Sequence, residues 1–289
     1  MINGVVNVYK PQNISSNQVV VKIKKFLGIK KVGHTGTLDP LACGVLPICI
    51  GNATKISDYL INKDKKYVVR LKFGILTDTY DCEGKILEKD TEFKVDPHEV
   101  KTVLESFIGE YEQVPPIYSA VKVDGKRAYE LARQGMNFEL KARKVKIYSI
   151  ENIEIKDDEC GFVVECSKGT YVRSLCRDIG DKLGTYATMI FLERIQSGYF
   201  TKETSLNFDN LTPECIEKNL ISIDKVISMP KIEINDFNIL KLLLNGVCVK
   251  NPNYINGIDN GVYLLYNRDM LKGICERKLN FLKMIKFLG

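Results

Sequence analysis

Histidine is scarce in this chain: only His34 and His98 occur among its 289 residues. With so few imidazoles, Cys/His metal ligation is disfavoured. The nine cysteines (Cys43, Cys49, Cys82, Cys160, Cys166, Cys176, Cys215, Cys248 and Cys275) include no C-x-x-C pair, and their odd number leaves one unpaired. That pattern suggests neither a zinc site nor a disulfide framework, and reads as reduced, buried thiols acting as small hydrophobes. No apolar run is long enough to cross a bilayer. The first residues also lack a basic segment followed by an apolar one, so the expectation is a cytoplasmic protein without a membrane partner. Internal repeats, low-complexity tracts and nucleotide-binding loops are missing too. What remains is ordinary for a globular protein, with 45% hydrophobic and 27% charged residues in a length suited to one large domain and one small one.

The net charge of +6 is unevenly spread. Residues 1–66 carry 10 lysines against 3 acids, residues 67–230 carry 23 basic and 28 acidic side chains, and residues 231–289 carry 9 basic and 5 acidic. A polyanion bridging two basic ends would explain this distribution; lysine used as a surface solubiliser would explain it equally well.

Ser15 and Ser16 precede an apolar-periodic stretch (Val19, Val20, Ile23, Phe26, Leu27) that stops at Gly28, which predicts a capped helix. Tyr67–Phe73 alternates as a strand does. Asp96-Pro97-His98-Glu99 is a helix start, with the buried face running through Val100, Val103, Leu104, Phe107 and Ile108 to Gly109. Lys144–Ile155 and Phe162–Cys166 read as strands and Tyr171–Leu183 as a helix closed by Gly184. Strands and helices mix without regular βαβ alternation, which predicts an α+β fold. A boundary is expected at Met229-Pro230, giving domains 1–230 and 231–289. In the second, Asp236 caps a short helix to Leu244, and the runs 247–249, 262–266, 274–276 and 281–285 suggest a small β-barrel-like module.

The densest chemistry lies in Gly33-His34-Thr35-Gly36-Thr37-Leu38-Asp39-Pro40-Leu41-Ala42-Cys43-Gly44-Val45-Leu46-Pro47. Three glycines and two prolines within fifteen residues argue against a regular helix or central strand and for a rigid loop. A carboxylate on such a loop can serve as nucleophile, base or metal ligand, or can simply stabilise the turn before Pro40. Asp78 and Asp81 are also close in sequence, but two carboxylates make a weak metal site, and a supporting role fits them better.

This segment resembles the catalytic loop of the TruB family of pseudouridine synthases, G-H-x-G-x-L-D-P-x-A-x-G-x-L-P. The likeness continues in order through Val6-Asn7-Val8-Tyr9-Lys10-Pro11, Lys66-Tyr67, Thr77-Asp78-Thr79-Tyr80-Asp81-Cys82-Glu83-Gly84 and Pro115-Pro116-Ile117-Tyr118-Ser119-Ala120-Val121-Lys122. It extends through Tyr129-Glu130-Leu131-Ala132-Arg133-Gln134-Gly135 and Lys168-Gly169-Thr170-Tyr171-Val172-Arg173, so it covers nearly all of the first 200 residues. The tail is more weakly similar to an RNA-binding PUA-type β-barrel. One departure is Asn13, where the family usually has glycine; asparagine tolerates positive φ better than most residues.

The resemblance implies a mixed, mostly antiparallel sheet flanked by helices, and an enzyme that isomerises uridine at position 55 in the TΨC arm of tRNA. It implies Asp39 as the catalytic carboxylate and Arg173 as the guanidinium that keeps it charged. Tyr67 would stack on the flipped uracil and handle the C5 proton, Tyr171 and Leu192 would wall the pocket, and His34 would fill the vacated stack. Isomerisation gains and loses no atoms, so neither cofactor nor metal is expected. Residues 122–146, with Arg127, Arg133, Arg143 and Lys144, read as a basic flap over the RNA backbone. The stand-alone bacterial form, a monomer needing no protein partner, fits better than a guide-RNA-dependent subunit or a non-catalytic RNA-folding protein.

Overall fold

The computed structural model describes residues 2–250 and 255–289. Strand β1 (Gly4–Lys10) leads through a turn in which Asn13 adopts φ 65°, the left-handed conformation that asparagine tolerates. Helix α1 (Ser16–Leu27) follows, opened by a reciprocal capping box between Ser15 and Gln18 and closed by Gly28 at φ 63°. Next come β2 (Val32–His34), the Gly/Pro-rich loop, and β3 (Cys43–Ile50).

The second half of that Gly/Pro-rich segment is not loop. Gly44 and Pro47 lie inside β3, a buried interior strand, contrary to the expectation from composition. Pro47 fits because its carbonyl still accepts from the Thr35 N–H at 3.1 Å, while a proline nitrogen has no hydrogen to leave unsatisfied. Gly44, at φ 109°, lies so close to the Arg194 backbone that an added Cβ would meet the Arg194 carbonyl at 2.2 Å.

After α2 (Ser57–Ile61), β4 (Lys65–Phe73) buries alternate side chains. The short pair β5 (Ile75–Thr77) and β6 (Ile86–Lys89) precedes α3 (Pro97–Glu105), which Asp96 caps through the amides of His98 and Glu99. This helix ends at Glu105 rather than running to Gly109, because Gly109 (φ 119°) already opens β7 (Gly109–Gln113). A hairpin of β8 (Lys122–Val123) and β9 (Lys126–Arg127) leads into α4 (Ala128–Arg133). The long pair β10 (Arg143–Lys156) and β11 (Glu159–Cys166) follows, then α5 (Val172–Lys182). Strand β12 (Ala187–Ser197) precedes the small β13 (Phe200–Thr201) and β14 (Leu206–Asn207), with α6 (Pro213–Lys218) and α7 (Ile223–Val226) beyond.

The main sheet has the order β14-β1-β3-β12-β4-β11-β10-β7, with β2 beside β3 and β13 beside β12. Only β1·β14 and β3·β12 pair in parallel. The fold is therefore α+β, as its element pattern suggested, with the mixed, mostly antiparallel sheet that the resemblance implied. Strand β12 escaped the sequence reading because it is covered on both sides and interrupted by two register shifts, so it does not alternate.

The tail comprises β15 (Lys231–Glu233), α8 (Phe237–Leu244), β16 (Gly261–Asn267), β17 (Met270–Lys278) and β18 (Phe281–Phe287). Its strands lie in the order β15-β16-β17-β18, an open four-stranded sheet among the described residues where sequence suggested a barrel-like module. Val249 adds a single bridge to Leu282. Ile239, Leu240, Leu243 and Leu282 build the tail's own cluster, but Leu264, Ile274 and Leu288 pack with Val5, Val45, Ala53, Ile56 and Leu60 of the large body. Lys286 adds an ion pair to Asp58 at 2.7 Å. The tail thus shares apolar core with the body.

The close approach at Gly44 yields a stability test. Gly28→Ala, where nothing lies within 4 Å of the new Cβ, is expected to cost about 1 kcal/mol from left-handed strain alone. Gly44→Ala must also displace backbone and is expected to cost at least about 2–3 kcal/mol. Urea unfolding of the two variants measures the difference.

Candidate active site

The segment carrying Asp39 is tied down at both ends. Ser16 Oγ accepts from the Leu38 N–H at 2.8 Å and donates to the Leu38 carbonyl at 2.9 Å, so one buried hydroxyl satisfies both backbone groups. The Asn13 N–H donates to the Pro40 carbonyl at 2.8 Å, and the Ala42 N–H to the Asp39 carbonyl at 3.1 Å. Lys10 is wholly buried and donates from Nζ to the carbonyls of Pro11, Ile14 and Pro40. Burial pushes its ammonium down to about 8, and nearby Cys43 and Asp39 act the other way. The Lys-Pro turn thus supports the loop that bears the carboxylate.

Arg173, in the first turn of α5, reaches Asp39: its Nη2 stands 3.0 Å from Oδ2. The guanidinium side chain is 6% exposed and the carboxylate 39%, so one partner is locked in the protein while the other faces outward. Arg173 also donates from Nη1 to the Thr79 carbonyl at 3.0 Å and from Nη2 to the Tyr118 carbonyl at 2.9 Å. Asp81, equally buried, stands 3.5 Å from Nη1 and accepts from Thr79 Oγ1 and the Glu83 N–H. Asp81 therefore supports the cluster. Asp78 accepts from the Lys85 N–H and braces its own turn. Among the described residues, no group of three or more His, Cys, Asp or Glu side chains is arranged to hold a metal ion.

Tyr67 and Leu192 come from adjacent central strands, β4 and β12, and both side chains are buried. Burial pushes the Tyr67 phenol up, while the Arg194 cation beside it acts in the opposite direction. Tyr171 is the N-cap of α5, held by Gln113 through its amide and its carbonyl. Burial raises its phenol, opposed by Ser119, Arg143 and Arg173. His34 ends β2 at the mouth of the loop, and its buried Nδ1 meets no hydrogen-bond partner among the described residues. Burial lowers the His34 imidazole below its ordinary value, and the charge of Arg194 adds to that. The fold thus joins Asp39 to Arg173 directly, sets Tyr67 and Tyr171 within electrostatic reach of Asp39, and sets His34 within reach of Arg194.

Sequence reading passed over three supports. Ser16 looked only like part of a helix start, and Lys10 only like part of a turn. Arg194 was visible beside Glu193 as a charge pair inside the otherwise apolar segment Met189–Ile195, a pattern that marks buried and therefore specifically held charges. The basic residues of 122–146, Lys122, Lys126, Arg127, Arg133, Lys141, Arg143, Lys144 and Lys146, are all exposed.

The family model for the TruB family pseudouridylate synthase N-terminal domain matches residues 24–172, and that for the tRNA pseudouridylate synthase B C-terminal domain matches 173–228. The tRNA pseudouridine synthase B of Clostridium tetani is 47% identical, over 99% of this chain and all of the relative. The protein of the same name from Clostridium novyi is 48% identical over the same shares. Among solved structures, a chain of a Cbf5-Nop10-Gar1 complex superposes with TM-score 0.73 at 27% identity, covering 99% of this chain and 85% of its own. This chain belongs to the TruB family of pseudouridylate synthases.

Ser16→Ala leaves the Leu38 N–H and carbonyl buried without partners. It is expected to lower stability by about 1–3 kcal/mol, measured by denaturant titration, and to slow turnover by loosening Asp39.

Proposed function

We propose that this chain isomerises uridine to pseudouridine in tRNA, at position 55 of the TΨC arm, with Asp39 as the catalytic carboxylate. The observation that carries the reading is the Arg173–Asp39 pair, buried on the guanidinium side and open on the carboxylate side. The reaction breaks the N1–C1′ bond, turns the uracil, and joins C5 to C1′. Asp39 assists the cleavage by attack on sugar or base, or by taking a ribose proton while uracil leaves. All three routes need an oriented carboxylate. No atom is gained or lost, so the isomerisation calls for no redox cofactor.

A uridine inside a folded arm must leave its stack to reach Asp39. In this reading Tyr67 stacks on the extruded uracil and handles the C5 proton. Tyr171 and Leu192 close the pocket, and His34 fills the vacated place in the RNA. The exposed cations of 122–146 clamp the backbone. The chain divides near Pro230, and residues 231–289 add phosphate contacts away from the target. It works alone, as a cytoplasmic monomer; near-full-length identity to the clostridial enzymes favours this over the Cbf5 type.

Asp39→Asn is expected to abolish pseudouridine formation on a naked tRNA transcript while tRNA affinity stays within a few-fold, because affinity is spread over many phosphate contacts. Pseudouridine mapping and filter binding read the two quantities; product from the variant removes Asp39 from the mechanism. In the tail, Lys278 and Lys283 are exposed. Neutralising both to Gln is expected to flatten the salt dependence of binding by up to about two units of slope, with the single-turnover rate at saturating RNA nearly unchanged.

A further inference from the structure

Among the described residues Arg194 is the bulkiest wholly buried side chain, 1% exposed, and it makes no ion pair there. An uncompensated cation in a protein interior is costly, and a fold retains one where specific hydrogen bonds hold it. Here Nε donates to the Val45 carbonyl at 2.7 Å and Nη2 to the Gly36 carbonyl at 3.2 Å. The first contact anchors it to β3. The second grips the loop three residues before Asp39. Strand register sets Arg194 directly opposite Tyr67 on β4, where side chains on one face are neighbours. Its neighbour Glu193 is engaged elsewhere, with Lys202 at 2.6 Å and the Tyr9 hydroxyl at 2.7 Å, and leaves the Arg194 charge uncancelled.

We propose that Arg194 is a positioning residue of the isomerase site, its buried guanidinium tying the Asp39 loop to β3 beside Tyr67 and supplying a fixed positive charge behind the base pocket. The assignment rests on the roles proposed above for Asp39, Tyr67 and His34. The charge acts on several groups. Tyr67 faces Arg194 from β12, Cys166 from β11 and Asp39 from the loop. His34 feels burial and Arg194 alone, and both favour a neutral imidazole. A neutral ring enters a base stack without desolvating a charge.

The chain has only two histidines, so His34 can be followed in the RNA-free protein by imidazole NMR, assigned with His34→Gln. In the unmodified chain His34 is expected to titrate below the ordinary 6.5; a midpoint at or above it overturns the proposal without any variant. Arg194→Gln keeps a donor and removes the charge. It is expected to move the His34 midpoint upward and to slow single turnover by about 100-fold with tRNA affinity unchanged, since a small misplacement of a reacting group costs that much. Arg194→Lys keeps the charge, so the His34 midpoint is expected to stay in place and part of the rate to return. Equal rate losses in both variants with no movement of His34 would reduce Arg194 to a structural filler. A wild-type rate in folded Arg194→Gln would do the same. The titration uses no RNA and no turnover, so an active Asp39→Asn would remove Asp39 from the mechanism while leaving the His34 result standing.

Discussion

The site depends on one interaction: a guanidinium, buried by the fold, holding a carboxylate that is not. Arg173 spends its donors on the carbonyls of Thr79 and Tyr118 and on two carboxylates, so its position is set by three separate segments before any substrate arrives. Two of those segments, the Asp39 loop and the turn of Thr79 and Asp81, are themselves stiffened. The turn bearing Thr79 and Asp81 passes through Tyr80 at φ 60°, an uncommon conformation for an aromatic residue, and the Arg177 guanidinium lies 4.8 Å from the centre of that ring. A carboxylate oriented in this way enters reaction with little rearrangement, the usual source of catalytic advantage when a protein has no strong electrophile to offer.

Around this pair the sheet acts as a frame. Tyr67 and Leu192 stand on its two middle strands, and the loop of Asp39 leaves from β2 and returns through β3 on the same frame. Gly44 lets β3 approach β12 closely enough for Arg194 to reach Val45 and Gly36. The tail joins the frame through Leu264, Ile274 and Leu288, packed on Ala53, Ile56 and Leu60. Truncation near residue 230 would strip cover from that apolar surface as well as remove phosphate contacts, so charge substitutions on the exposed strands separate binding from folding more cleanly.

Elements with a local signature were legible in the sequence. The caps at Ser15, Asp96 and Asp236, the alternation of β4 and the strand character of β11 all reappear, although the Asp96 helix stops short of Gly109. Strand β12 and the strand character of Gly44–Pro47 were not legible, because each is buried on both faces and its identity is decided by partners far away in sequence. The same distinction holds at the site. Asp39 and Arg173 belong to recognisable motifs, and their pairing, 134 residues apart, follows from the resemblance. Ser16, Lys10 and Arg194 act through backbone carbonyls and amides, contacts that leave no pairing signal in a single sequence.

The most direct measurement is the single-turnover rate of Arg173→Lys on a tRNA transcript, with affinity measured in parallel. Lysine keeps the positive charge beside Asp39 but cannot hold two carbonyls and two carboxylates in one plane. If orientation by the guanidinium is what makes Asp39 reactive, the rate falls by at least about 100-fold while tRNA affinity is unchanged. A folded Arg173→Lys protein that forms pseudouridine at the wild-type rate would contradict the account.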